Sequence, residues 1–273
     1  MAIQKYKLLV VDVDGTLLDG RGEISAEDKD ALARVRDSGM RVSLSTGRTV
    51  KSCWSIIDRL SLDGYHMFFD GALISSRDPA EEIYARPISP SLVRQMVEFA
   101  RLHGIDLELH SKTQFFAERE TWSTAARRQF FGIDTAMVDF TGIWEREIIM
   151  KGGLATIDSQ EDPTTESWHR QFADSLNFSE ARTPAYPGRV FINILAPDVS
   201  KGRALETLAS HLGLSLDEVV AVGDGINDIP LLATAGLAIA MGSAPDEVRA
   251  VADHVTLDID HSGLAVAISK FLI

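Results

Sequence analysis

The sequence predicts an α/β protein with a doubly wound, mostly parallel, Rossmann-like core sheet interrupted by an inserted α+β domain. Three observations predict it. Short apolar, valine-rich runs alternate with amphipathic stretches near both chain ends, several of these runs stop abruptly at small and acidic residues, and a long middle segment breaks the alternation.

Tyr6 to Val13 is a nearly continuous apolar run, the pattern of a strand buried on both faces of a parallel sheet, and it stops at Asp14-Gly15. Ser25-Ala26-Glu27-Asp28 has the spacing of a capping box with Asp in place of Glu. It opens an amphipathic helix through Leu32 and Val35 that ends at Gly39. A short strand from Val42 to Ser45 ends at Thr46-Gly47-Arg48, and a helix to Leu60 and a strand from His66 to Phe69 follow. Strand-helix alternation of this kind implies right-handed crossovers.

The alternation resumes where Ser200 is placed to cap a helix to His211, followed by a strand Val219 to Val222 and a helix from about Ile226. Leu237 to Ala240 and His254 to Leu257 read as strands, and Ala244 to Val251 and Gly263 to Leu272 as helices. The Pro-rich edges Ala85-Arg86-Pro87 and Thr183-Pro184-Ala185-Tyr186-Pro187-Gly188 read as hinges. They divide the chain into a core, residues 1–84 and 189–273, and an insert, residues 85–188. Within the insert, Ser89-Pro90 starts a helix to Leu102, Ile105 to His110 and Glu147 to Lys151 read as strands, and Thr164 to Leu176 reads as a helix.

The 273 residues, 45% of them hydrophobic, are enough for a sizeable core and a second module. With 40 acidic against 27 basic side chains the formal charge is -13, which argues against nucleic acid or an anionic membrane as partner and makes an anionic ligand depend on a local positive site. The lone Cys53 excludes an internal disulfide. The start Met1-Ala2-Ile3-Gln4-Lys5 lacks the apolar core of a signal peptide, and no apolar run approaches the length of a membrane span. A cytoplasmic location, as a monomer or weak homodimer, is the expectation.

Asp12-Val13-Asp14-Gly15-Thr16 stands where the first buried strand ends, the place where open α/β sheets bind ligands. A carboxylate is a competent nucleophile toward phosphorus. A second carboxyl two residues on can protonate a leaving oxygen and then activate water. After the second strand, Thr46 and Gly47 offer a hydroxyl and main-chain N–H groups to a phosphate, and Arg48 offers a charged contact to substrate. Lys201 lies at a helix start, where the macrodipole disfavours a cation, so it should have a reason: a lysine between phosphate and carboxylates would neutralise charge and hold the nucleophile. Gly223-Asp224-Gly225-Ile226-Asn227-Asp228 gathers two carboxylates and an amide at another strand end. These oxygen donors suit Mg²⁺, and a helix cap at Asp224 or Asn227 would account for only one of them.

These strings, in this order, resemble the haloacid dehalogenase-like superfamily over essentially the whole chain, and the large insert between Asp70 and Lys201 resembles its Cof-type, subclass IIB sugar phosphatase branch. The resemblance implies that Asp12 is a nucleophile forming an aspartyl phosphate and that Asp14 is the general acid/base, offering its main-chain carbonyl to Mg²⁺. It assigns Thr46, Gly47 and Lys201 to the phosphoryl group and Arg48 to the substrate side. Asp12 and Asp224 become metal ligands, with Asn227 and Asp228 in supporting roles. The insert becomes a cap that selects the substrate.

Departures are Asp70-Gly71-Ala72, where many relatives carry Asn-Gly-Ala, Leu231 in place of a methionine, and Ser262-Gly263-Leu264 as a variant of a late Asp-Gly-Val. Asp70 is then turned away from the ligand, protonated, or suited to a different substrate. His110, Lys112, Arg127, Arg128, Lys151 and Tyr186 are the insert's candidates to face the ligand, each expected by its polarity to be a solvated surface residue. The function expected is Mg²⁺-dependent hydrolysis of a small phosphorylated metabolite: sugar phosphates first, phosphorylated cofactors or nucleotides next. A phosphomutase and a non-catalytic phospho-ligand sensor are the alternatives.

Overall fold

The computed structural model describes residues 5–78, 80–131, 134–157, 163–181 and 186–273. Among them, an eight-stranded sheet has the order β14-β13-β12-β1-β2-β3-β4-β5. Its strands are β1 (Leu8–Asp12), β2 (Arg41–Ser45), β3 (His66–Phe68), β4 (Leu73–Ser75), β5 (Glu82–Ala85), β12 (Val219–Gly223), β13 (Leu237–Ala240) and β14 (His254–Val255). The six central and left-hand strands, β14 to β3, run parallel, and β4 and β5 add an antiparallel edge.

β1 sends alternate side chains to opposite faces, and the sequence makes both faces apolar. Leu9 and Val11 pack with α1 (Ala26–Asp37), α2 (Val50–Arg59) and α10 (Gly263–Phe271), whereas Leu8 and Val10 pack with α7 (Lys201–His211) and α8 (Ile229–Thr234). Burying each such side chain stabilises the layered core by roughly 1.5–3 kcal/mol. Ser25 caps α1 through Asp28 N–H as its spacing predicts, but the Asp28 carboxylate accepts from Ala265 N–H instead of closing the capping box. That bond ties α1 to α10.

A six-stranded sheet has the order β10-β11-β9-β6-β7-β8, formed by β6 (Glu108–His110), β7 (Phe115–Ala117), β8 (Thr135–Met137), β9 (Lys151–Ile157), β10 (Asn177–Ala181) and β11 (Arg189–Leu195). With it go α3 (Pro90–His103), α4 (Trp122–Phe131), α5 (Ile143–Arg146) and α6 (Pro163–Phe172). Met96, Trp168 and Ile194 belong to its separate core.

The boundary after Gly188 needs correction. Arg189–Leu195, assigned by sequence to the core, pairs antiparallel with both β9 and β10 in the six-stranded sheet. The segment 183–188, of which 183–185 lie outside the described residues, therefore connects two paired strands, and the return to the large sheet falls between Leu195 and Ser200. Arg86 and Asp198, on the two crossing segments, form an ion pair at 2.5 Å. Other boundaries shift locally: β9 begins at Lys151 rather than Glu147, β14 stops at Val255, and the helix expected from Ala244 to Val251 shortens to α9 (Asp246–Arg249). No helix among the described residues is long and apolar enough to cross a membrane.

Candidate active site

The chain runs outward from β1 through β2 to β3, then returns to build β12, β13 and β14 on the other side of β1. The order thus reverses between β1 and β12, and ligands of open α/β sheets bind at such a switch point, outside the carboxyl ends of the strands. Asp12 ends β1, Asp224 follows β12, and Thr46 follows β2. After Asp12 the chain curls tightly, with Leu17 and Leu18 N–H both donating to Val13 O. Gly15 there has φ of +94°, and a Cβ on it would overlap the Asp224 carboxylate. The same curl lets the Thr16 hydroxyl donate to Asp224 Oδ1 at 2.8 Å.

Lys201 crosses from the start of α7 to the carboxylates. Its ammonium, 1% exposed, donates to Asp12 Oδ1 and to Asp228 Oδ1, each at 2.6 Å. These counter-ions explain a cation at a helix N-terminus. Burial works against the charged ammonium, yet Asp12 and then Asp228 hold its pKa above the usual lysine range. Asp228 uses its other oxygen to accept from the N–H groups of Asp224 and Gly225, fixing the turn that presents Asp224. Asp12 Oδ2 is left without a hydrogen bond among the described residues.

One oxygen each from Asp12, Asp224 and Asp228 lies within 4.8 Å of the others. Burial and the charge of Asp228 push the Asp12 carboxyl well above its ordinary range, and burial and Asp228 push Asp224 up to about 7. Lys201 alone therefore leaves the trio short of positive charge. A hard divalent cation fits this all-oxygen donor set and its surplus of negative charge. The Asp14 side chain is not in the cluster.

Asp14 is held by Arg48, through Nε to Oδ2 at 2.8 Å and Nη2 to Oδ1 at 2.5 Å. Arg48, expected as a substrate contact, is buried and directed at the neighbouring carboxylate, although it still lines the cleft. Thr46 is buried with its Oγ accepting from Arg48 N–H, which leaves its hydroxyl proton to donate. Asn227 also lines the cleft, but it donates its amide to Asp70 Oδ1 at 2.9 Å.

Asp70 is not turned away. It is 2% exposed in a left-handed conformation (φ 54°), lines the cleft, and carries Oδ2 without a hydrogen-bond partner among the described residues, 3.8 Å from Lys151 Nζ. Gly47 leaves room for it, since a Cβ there would lie 2.9 Å from Asp70 Oδ2.

Lys151, on β9, reaches over the large sheet and donates to Gly47 O at 2.7 Å. It is 4% exposed, as Arg127 is 5% and His110 1%, so these three are not the solvated surface residues their polarity predicted. Arg128 is exposed and pairs with Glu120 and Asp134; Lys112 pairs with Glu82; Tyr186 lines the cleft. The cleft has a volume of about 630 Å³ and walls from both sheets. Sequence reasoning missed Glu108, Phe191 and Asn193. The alternating pattern of Arg189–Leu195, with Phe191 and Asn193 two residues apart, was the available signal.

Residues 9–268 match the family described as haloacid dehalogenase-like hydrolase. The chain belongs to that family. It is 26% identical over 278 residues to the 5-amino-6-(5-phospho-D-ribitylamino)uracil phosphatase YcsE of Bacillus subtilis, covering all of both chains. It is 25% identical over 279 residues to a chloroplastic protein of Arabidopsis thaliana named endoribonuclease YBEY, covering 98% of this chain but only 47% of that one. Among solved structures, BT1666 from Bacteroides thetaiotaomicron, described among phosphatases of the superfamily, superposes with a TM-score of 0.83 at 28% identity, covering 99% of this chain and 96% of the other. The end-to-end matches place this haloacid dehalogenase-like chain in the Cof-type phosphatase branch.

Proposed function

We propose that this phosphatase hydrolyses a small phosphorylated metabolite with Mg²⁺ as cofactor, through a phosphoryl group carried on Asp12. The observation that carries the reading is Lys201, buried and bridging Asp12 and Asp228 beside Asp224 at the sheet's switch point. Asp12 and Asp224 would hold the metal, with Asp228 behind them and the Asp14 main-chain carbonyl as the family resemblance implies. When bound, the ion supplies charge neutralisation to the carboxylates and the phosphoryl oxygens.

An oxygen of Asp12 attacks phosphorus in line, and the bond from phosphorus to the leaving oxygen breaks as Asp14 gives that oxygen a proton. A water then attacks phosphorus of the aspartyl phosphate, losing its proton to Asp14 and releasing phosphate and the free Asp12 carboxylate. Thr46, the Gly47 main chain and Lys201 hold phosphoryl oxygens, and Arg48 aims Asp14. Little more than positioning and charge neutralisation is required of the protein in such a transfer.

The six-stranded sheet and its helices act as a cap domain, closing the cleft and selecting the substrate. Sugar phosphates are the first substrate class. The name of the YcsE relative adds phosphorylated cofactor precursors. The test is p-nitrophenyl phosphate turnover with and without Mg²⁺, in wild type and Asp12→Asn. Metal-dependent turnover abolished by the substitution supports the reading, and equal rates in the two proteins contradict it.

A further inference from the structure

The cap side of the cleft is electrostatically unlike the rest of the chain. In a protein of net charge -13, its described lining carries three cations, Arg127, Lys151 and Arg189, against one carboxylate, Glu180. Two of the three cations are nine-tenths buried or more. Burying cations is costly unless something on the other side balances them.

Arg127 is built into place. Its Nε pairs with Glu108, whose carboxylate also accepts from the Ser123 hydroxyl. Its guanidinium lies 5.2 Å from the centre of the Phe191 ring, and Gly153 leaves room beside it, since a Cβ there would lie 3.2 Å from Nη2. This framework fixes the guanidinium, yet Nη2 is buried with no hydrogen-bond partner among the described residues. His110, next to the pair, is pushed down to about 3 by burial and so is neutral, adding no charge. Lys151 spends one of its three N–H groups on Gly47 O, and its neighbour Asp70 stands at 3.8 Å. A rigid guanidinium on the cleft wall with a donor left unpaired, beside an ammonium, matches the acceptor geometry of a carboxylate or phosphate.

We propose that the substrate carries a second acidic group, a carboxylate or a phosphate, at a distance from the ester phosphate, and that Arg127, with Lys151, binds it against the cap wall. The inference rests on the phosphatase reading above and narrows its substrate class from phosphomonoesters in general to those with a second anionic end. A neutral sugar phosphate leaves the Arg127 donor unmatched.

The experiment compares kcat/KM within two matched pairs, 6-phosphogluconate against sorbitol 6-phosphate for a carboxylate, and fructose 1,6-bisphosphate against fructose 6-phosphate for a second phosphate. The acidic member of at least one pair should be favoured about tenfold or more, chiefly through KM, and Arg127→Gln should shrink that ratio to about threefold or less. Because Arg127→Gln leaves Glu108 buried and unpaired, Glu108→Gln/Arg127→Gln is measured beside it, removing both charges together. Ratios near one in both wild-type pairs, or a preference that survives in the double variant, would overturn the proposal. p-Nitrophenyl phosphate turnover by the same wild-type preparation separates the two failures: no metal-dependent turnover means the phosphatase reading fails, whereas turnover without a preference means only this inference does.

Discussion

Arg48 grips Asp14 with two parallel hydrogen bonds, so the carboxyl expected to move protons is fixed by a guanidinium at the wall of the cleft. A bidentate pair of this kind orients a carboxylate. In the proposed mechanism Arg48 is a positioning residue for Asp14, which it reaches from a turn only two residues from Thr46.

Replacing Arg48 with alanine should therefore hurt substrates in proportion to their need for a proton. For an alkyl phosphate, whose leaving alkoxide is strongly basic, kcat should fall about tenfold more than for p-nitrophenyl phosphate. Parallel kcat measurements on the two esters check this. Equal losses would mean that Arg48 acts on the phosphoryl group and not through Asp14.

Lys201 should be indispensable to stability as well as to activity. Its removal in Lys201→Met leaves Asp12 and Asp228 buried without their shared cation. Breaking a buried ion pair from one side costs about 3–5 kcal/mol. Urea unfolding in a metal-free buffer should show a loss of that size, together with loss of turnover. A variant as stable as wild type would mean that the two carboxylates take up protons at little cost.

The site was legible in the sequence wherever its parts are local. Asp12, Asp14, Thr46, Lys201, Asp224 and Asp228 each sit at a strand end or helix start that apolar periodicity reveals, and the parallel topology then brings four of them, Asp12, Lys201, Asp224 and Asp228, together. Side-chain direction was not legible. Whether Arg48 points at substrate or at Asp14 depends on packing around a turn, and the same residue pattern allows both. The burial of Lys151 and Arg127 was hidden for another reason: they lie on β9 and α4 of a domain whose sheet of mostly antiparallel pairs has an order that no local pattern encodes. The start of β9, Lys151-Gly152-Gly153, also lacks the β-branched signature of a strand. The assignment of Arg189–Leu195 failed likewise, because an alternating run announces a strand and not the sheet it joins.

Substrate affinity should weaken on the alkaline side. Burial brings Lys151 down to about 8, with Asp70 and Glu108 pulling upward and Arg127 and Lys201 downward. The ammonium is thus intact below that value and is lost as pH rises through it. KM for an anionic ester should be flat between about pH 6.5 and 7.5 and rise several-fold by about pH 9, with a smaller rise in Lys151→Met. A flat wild-type profile over this range would contradict the assignment.

Stability should weaken on the acid side, through a histidine away from the chemistry. His66 is fully buried and accepts from Leu44 N–H at Nδ1, and burial lowers its pKa from 6.5 to about 4. The folded state then binds fewer protons than the unfolded chain between those two values. The contribution is complete above about pH 6.5 and is lost as pH falls toward 4, on the order of a few kcal/mol in all. Urea midpoints should drop from pH 7 to pH 5, and NMR should show the His66 ring still neutral at pH 5. A ring that titrates near 6.5 would contradict the burial argument.

Whether Asp12 carries the phosphoryl group, as proposed, is tested most directly by borohydride reduction of the enzyme during turnover, followed by peptide mass spectrometry. An aspartyl phosphate at position 12 is reduced to homoserine, so the peptide containing Asp12 should show that change only when substrate is present. Reduction at another residue, or none while turnover proceeds, would contradict the account.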